Sequence, residues 1–276
     1  DDGWSLQASP VSLRPLNPIR ALVDKMTIVP NPHKSVIKLS IGDPSVFGNL
    51  PPPAHVAAAV SAACEDAVRS AGYAHAAGHE EARAAVARRF SSVYAAAPST
   101  ASDAERTLSA SDVLLASGCS HALELAIAVL CAPGTNVLLP RPGFSVYETI
   151  ASYHGVGVRY YALRAEHDWR ADLASLEAAI DERTAALLVN SPSNPCGAVY
   201  DEAHLRALLA VAERHRLPVI SDEVYAGMAF AGHTYHPLAS LSATVPVLAC
   251  GGLAKVYLVP GWRIGWLIVH DRQGKL

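Results

Sequence analysis

Long apolar runs are missing from this sequence. None approaches the ~18 residues a membrane span needs without meeting a charge or a turn former. Charge is scarce as well, at 17% of residues with a net value of −3. No run of lysine or arginine stands out, so the electrostatic footprint of a nucleic-acid binder is absent. An anionic small molecule would have to be captured by local groups rather than by the overall field. The five cysteines, Cys64, Cys119, Cys131, Cys196 and Cys250, are odd in number, scattered and free of CxxC or Cys/His spacing. That excludes a disulfide framework and a structural zinc site, and it points to a reducing compartment, cytoplasmic or mitochondrial. His75 and His79 are four apart but lack the HExxH pattern, so no metal site is expected. The opening Asp1-Asp2-Gly3-Trp4 has neither a signal peptide nor an initiating methionine and reads as a cut or processed beginning.

What is present is an ordinary globular composition, 51% hydrophobic over 276 residues, enough for one large domain or one domain and part of another. Residues 1–53 are rich in proline and turn formers and end in Pro51-Pro52-Pro53, which suggests an extended arm. Two alanine-rich helices are expected near 54–70 and 78–95, then a loop over 96–111. Beyond that, short apolar runs suit buried strands at Val113–Ala116, Asn136–Leu139, Val156–Tyr161, Ala185–Val189, Pro218–Ser221, Val245–Ala249 and Ile264–Val269. Helical stretches near 120–131, 145–154, 172–181 and 201–215 separate several of them. This alternation predicts an α/β fold with a mostly parallel, seven-stranded sheet and helices on both faces. In such sheets ligands gather beyond the carboxyl ends of the strands.

Four segments fall at those ends. Ser117-Gly118-Cys119-Ser120-His121 follows a strand and opens a helix, where backbone amides can receive an anion; a plain tight turn is the bland alternative. Asn190 to Gly197, with two prolines, is either a strand-to-helix loop or a loop that offers a side-chain amide to a ligand. Asp222 comes directly off the apolar run 217–220, so its carboxylate requires a cation or donors unless it is only a helix cap. Lys255 and Arg263 stand in a stretch dense in Gly, Pro and aromatic residues, Gly251 to Trp266, which suggests a shielded amine suited to imine chemistry.

Together with Pro140 to Tyr147, these segments resemble the fold-type I aminotransferases that depend on pyridoxal 5'-phosphate (PLP), and within them the tyrosine-specific branch. The resemblance runs from about Arg14–Pro18 to Asp271-Arg272, and Gly251–Lys255 with Val259–Arg263 carry most of its specificity. It implies that Lys255 holds the cofactor as a Schiff base and moves the substrate proton, that Asp222 pairs with the pyridine nitrogen, and that Tyr225 and Asn194 donate to the phenolic oxygen. It implies further that Phe144 stacks on the ring and that Arg263, Gly118, Cys119 and Ser120 hold the phosphate. Tyr73, with Gly78 and Arg83, matches a segment whose tyrosine reaches the phosphate in a neighbouring subunit, implying a homodimer. Ile41 and Gly42, in Ile41-Gly42-Asp43-Pro44, match the strand and turn that close over the substrate, which Asn194 also contacts.

Two positions depart from many relatives: Gly252 and Ala254 stand where serines are frequent, so the phosphate site leans more on Ser120 and Arg263. No residue matches the arginine that grips the substrate α-carboxylate, because relatives continue into a C-terminal small domain. The implied organisation is an arm and part of a small domain over 1–53 and a PLP-binding large domain over 54–276, in a fragment of a longer protein. The implied activity is ping-pong transfer of the amino group of an aromatic L-amino acid, tyrosine, to a 2-oxo acid. Broad-specificity or alanine transamination, or a PLP-dependent C–S lyase, are the alternatives.

Overall fold

Strand–helix alternation builds one sheet. In the computed structural model, which describes residues 7–14, 17–37, 42–45, 47–48, 50–94 and 107–276, eight strands hydrogen-bond in a single array. They are β1 (Val113–Ser117), β2 (Asn136–Arg141), β3 (Gly157–Arg164), β4 (Arg170–Ala171), β5 (Thr184–Asn190), β6 (Val219–Asp222), β7 (Val247–Gly252) and β8 (Ile264–His270). The spatial order is β1-β8-β7-β6-β5-β2-β3-β4. The run from β7 to β3 is parallel; β8 is antiparallel to both β1 and β7, and β4 is antiparallel to β3.

Eight α-helices accompany the sheet among the described residues: α1 (Pro18–Val23), α2 (Ala54–Glu65), α3 (Ala67–Ser70), α4 (Glu80–Tyr94), α5 (Gly118–Leu130), α6 (Val146–Tyr153), α7 (Leu173–Ala179) and α8 (Glu202–Arg214). Two buried clusters cover the two faces. Along β2, Val137 and Leu139 join α5 and α6 in one cluster, while Leu138 between them joins α8 in the other. This is the two-residue period of a strand buried on both sides. The helices show the matching stripe: α8 buries Leu205, Leu208, Leu209 and Ala212, the i, i+3, i+4, i+7 pattern. Its N-terminus is capped by Asp201, whose carboxylate accepts from the His204 amide at 2.8 Å.

The expected seven strands are all present, and β4 is the eighth. It holds only two residues and follows two left-handed positions, Asp168 (φ 54°) and Trp169 (φ 58°), so no alternation of apolar residues announces it. β7 begins two residues later than the apolar run because Ser242 and Val245 close a tight turn, Ser242 Oγ donating to the Val245 carbonyl at 2.7 Å. The loop expected over 96–111 falls largely outside the described residues. No helix among the described residues is long and apolar enough to cross a membrane. α2 and α3 bury no residue, and Val68 in α3 and the nearby Tyr73 are exposed.

β4 is tied down by a histidine. The Ala171 amide donates to Nε2 of buried His204 at 3.1 Å, which requires a neutral ring. Burial, and then the Arg170 charge, push the His204 pKa below its ordinary value, against the opposing pull of Asp201. The unfolded chain therefore binds this proton at higher pH than the fold does. Stability from this group is present above the unfolded histidine value of about 6.5 and is lost as pH falls through it toward the lower folded value. Thermal melts from about pH 8 to about pH 5 should show a decline that His204→Gln, which keeps an acceptor, makes shallower. An identical slope in the variant would remove His204 from the acid response.

Candidate active site

The parity of β6 decides which face receives its carboxylate. Ile220 packs in the cluster under α5 and α6, and Asp222, two residues on, points to the same side. Asp222 is buried at 3% exposure. Its carboxylate accepts from the Tyr147 hydroxyl at 2.6 Å, the Val224 amide at 3.1 Å and the Cys119 thiol at 3.6 Å. These donors are neutral, and no cationic side chain among the described residues pairs with it. Burial raises the Asp222 pKa and the three donors pull it back down. The neighbouring Glu223 points the other way, where it accepts from Ser221 Oγ at 2.9 Å, the Tyr235 hydroxyl at 2.6 Å and the Leu238 amide at 3.2 Å. Those contacts fasten the loop after β6 beneath the sheet end.

Asp222 lies on the wall of a cavity of about 810 Å³ at the carboxyl ends of β1, β5, β6 and β7. One end of this cavity gathers a helix start, a hydroxyl and a guanidinium. Gly118 opens α5 with φ +77°, and a Cβ there would stand 2.3 Å from Arg263 Nη2. A Cβ on Gly265 would stand 2.3 Å from the Gly118 carbonyl carbon, so β8 passes this close to the helix start only because it carries glycine there. The first amides of α5 have no partner within the helix, and Ser120 adds a hydroxyl on the cavity wall. Arg263, itself left-handed at φ 55°, reaches the carbonyls of Pro260 at 3.0 Å and Ser117 at 3.4 Å. A guanidinium beside the first amides of a helix is a donor set of the kind that can clamp an oxyanion.

Lys255 sits between the clamp and the carboxylate on the turn after β7. It is half-buried, its Nζ donates to the Gly42 carbonyl at 3.3 Å and lies 6.0 Å from the centre of the Tyr225 ring. Burial, then the charge of Asp222, raise the Tyr225 pKa, which keeps its phenol protonated and able to donate. Asn190 is not free for a ligand. Its amide is spent on the carbonyls of Asp222 (3.0 Å) and Pro192 (3.2 Å), and its oxygen accepts from the Asn194 amide at 2.7 Å. Asn190 thus shapes the loop that delivers Asn194 to the cavity. Phe144 flanks the cavity and meets Tyr147 edge-on, with ring centres 5.8 Å apart and planes at 88°.

The expected residues Gly42, Cys119, Ser120, Phe144, Asn194, Asp222, Tyr225, Lys255 and Arg263 converge on this one cavity, and Gly118 abuts it through Arg263. Cys119 differs in detail from its expected role in a phosphate cradle: its side chain turns inward to Asp222, leaving only its backbone for an anion. Burial, then Asp222, raise its pKa well above the ordinary thiol value. Tyr73 does not reach the cavity of its own chain and is fully exposed. Arg83 is occupied locally, donating to the carbonyls of Gly78 at 3.0 Å and Ala110 at 2.7 Å. Ile41 lies outside the described residues. Three lining residues had no sequence signal that separated them from an arm: Asn17, Ile19 and Val23, in and before α1.

Residues 34–273 match the family of class I and II aminotransferases. The chain belongs to this family. Within the family, it is 50% identical over 270 residues to the tyrosine aminotransferase of Mus musculus, covering 98% of this chain and 57% of that protein. The tyrosine aminotransferase of Homo sapiens is 49% identical over 270 residues, again covering 98% and 57%. Among solved structures, the tyrosine aminotransferase of Leishmania infantum superposes with a TM-score of 0.87 at 34% identity, covering 99% of this chain and 65% of that one. The alanine aminotransferase of Pyrococcus furiosus gives 0.83 at 31% identity, with 98% and 65% covered. The chain thus spans little more than half the length of the curated relatives it matches.

Proposed function

We propose that the protein is a PLP-dependent aminotransferase that moves the amino group of tyrosine, or another aromatic L-amino acid, to a 2-oxo acid by alternating half-reactions. The observation that carries this reading is the buried Asp222, held by neutral donors only, at one end of a cavity whose other end is an oxyanion clamp, with Lys255 between them. Such a donor set fits a ligand with a protonated ring nitrogen at one end and a phosphate at the other. Arg263, Ser120 and the amides from Gly118 would hold the phosphate, Phe144 the ring face, and Asn194 and Tyr225 the phenolic oxygen.

Bound PLP supplies an aldehyde that condenses with amines and a ring that withdraws electrons from the substrate Cα. The residues do the rest. Lys255 would hold the cofactor through its amine and, as a free amine, would take the proton from the substrate Cα. Asp222 would keep positive charge on the ring nitrogen, and Arg263, Ser120 and the first amides of α5 would fix the cofactor against rotation. We propose residues 54–276 as the large, cofactor-binding domain, with 1–53 an arm and part of a small domain. We also propose a homodimer in which Tyr73 reaches the partner subunit's phosphate site, supported by the exposure of Tyr73 and of α2 and α3. Five free cysteines suit a reducing compartment, which we take to be the cytosol.

Identity to tyrosine aminotransferases supports the aromatic substrate. A second reading, alanine transamination, draws on the Pyrococcus furiosus neighbour. The test is spectroscopic. With PLP the protein should show a visible band that L-tyrosine bleaches and a 2-oxo acid restores. Bleaching by L-alanine but not by L-tyrosine would transfer the substrate assignment. Release of pyruvate and ammonia without amino transfer would indicate a lyase instead.

A further inference from the structure

Tyr147 is a large polar side chain on the cavity wall to which neither the clamp nor the lysine gives a task. It is 1% exposed, sits on the first turn of α6 and directs its hydroxyl into the Asp222 carboxylate at 2.6 Å. The same ring stands edge-on to Phe144, three residues earlier and on the cavity wall. One side chain therefore touches both groups that would define the position of a bound ring, the carboxylate that meets its nitrogen and the aromatic plate that covers its face. We propose that Tyr147 is a positioning residue for the amino-transfer reaction: it aims the Asp222 carboxylate at the ring nitrogen and props Phe144 against the ring plane. This rests on the cofactor reading above.

The Tyr147 hydroxyl is the donor in this bond. Burial, then the neighbouring Asp222 charge, push the Tyr147 pKa well above the ordinary phenol value, so the hydroxyl donates and the carboxylate accepts. Asp222 has two oxygens with different partners. Oδ2 takes the Tyr147 hydroxyl, whereas Oδ1 takes the Val224 amide and the Cys119 thiol. With both oxygens pinned, the carboxylate plane is set before the cofactor arrives. Without the hydroxyl, Oδ2 loses its only protein donor among the described residues and the carboxylate can turn about its remaining bonds. Cys119 does not replace it, since a thiol donor at 3.6 Å is long and weak and holds the other oxygen. A purely structural role would be met by any ring of this size; the placement of the hydroxyl is what the carboxylate requires.

The discriminating variant is Tyr147→Phe, which keeps the ring against Phe144 and removes only the hydroxyl. The intact protein, wild type and variant, would be loaded with PLP labelled with ¹⁵N at the ring nitrogen. The ¹⁵N chemical shift, the dissociation constant for PLP, and kcat and KM for L-tyrosine would then be measured. The expected result is a ¹⁵N shift displaced toward the unprotonated value, PLP binding weakened several-fold, and kcat lowered by about tenfold with KM changed much less. A variant that melts earlier but keeps the wild-type ¹⁵N shift and kcat would overturn the proposal and leave Tyr147 as packing. Tyr147→Leu, which also loses the edge contact with Phe144, should weaken PLP binding further; equality with Tyr147→Phe would refute the role assigned to the Phe144 contact. Wild-type protein that takes up no PLP would overturn the cofactor reading and this proposal with it, an outcome distinct from a silent variant of a protein that binds PLP.

Discussion

On the proposed function, Lys255→Ala is expected to lower amino transfer from L-tyrosine by about 10⁴-fold or more, since one substitution would remove both a nucleophile and a proton carrier, the latter alone worth up to about 10⁴. The fold should persist. Lys255 is half-buried on a turn, and its recorded hydrogen bond is a single contact to the Gly42 carbonyl at 3.3 Å. Loss of one such bond at a partly solvated site costs ~1 kcal/mol or less. The variant should still bind PLP through Arg263, Ser120 and Asp222, but reversibly and without the visible band of a lysine-bound cofactor. Borohydride treatment followed by peptide mass mapping should add the reduced cofactor to the wild-type peptide carrying Lys255 and to no peptide of the variant. Lys255→Arg separates charge from chemistry: it keeps a cation near Gly42 and should be as inactive as alanine. Substantial turnover by either variant would mean that another amine does the work.

Much of this was legible in the sequence, because strand parity and helix stripes are written in residue spacing. The apolar runs that became β1, β2, β3 and β5–β8 pack residues into both clusters, so each is a short unbroken stretch between turn formers. The four helices expected between Ser120 and His215 have the amphipathic period that tertiary packing rewards. The site residues lie at strand ends, and their convergence follows from that placement together with the family pattern. What was not legible depends on contacts distant in sequence. Tyr147 and Asp222 meet over 75 positions, and Cys119 and Asp222 over 103, with no local pattern linking them. β4 escaped because two residues have no period. Asn190 and Asn194 share one loop, and only the fold shows the Asn190 amide consumed by the carbonyls of Asp222 and Pro192.

Asp222→Asn should separate stability from activity. In the cofactor-free protein the buried carboxylate is a liability: burial lifts its pKa, so near neutral pH its charge is held at a cost that neutral donors offset only in part. An asparagine of the same shape retains an acceptor for the Tyr147 hydroxyl or the Val224 amide and sheds the charge. Its cofactor-free melting temperature should therefore equal or exceed that of the wild type. Turnover should move the opposite way. The negative charge is what would hold a proton on the ring nitrogen while electron density leaves the substrate Cα, and an amide cannot replace it. Removing one preorganised electrostatic contact of this kind lowers kcat by roughly 10²–10³-fold. PLP affinity should fall as well, while KM for L-tyrosine, set by groups elsewhere, changes less. Melting curves of both proteins without PLP, paired with kcat and PLP titrations, measure the two effects on one pair of samples. A large drop in the cofactor-free melting temperature would assign Asp222 to the architecture of the sheet end. Unchanged kcat would mean that the ring nitrogen needs no partner here. A stable but slow variant would identify the charge as one the fold bears for the chemistry, as its neutral shell of Tyr147, Cys119 and Val224 implies.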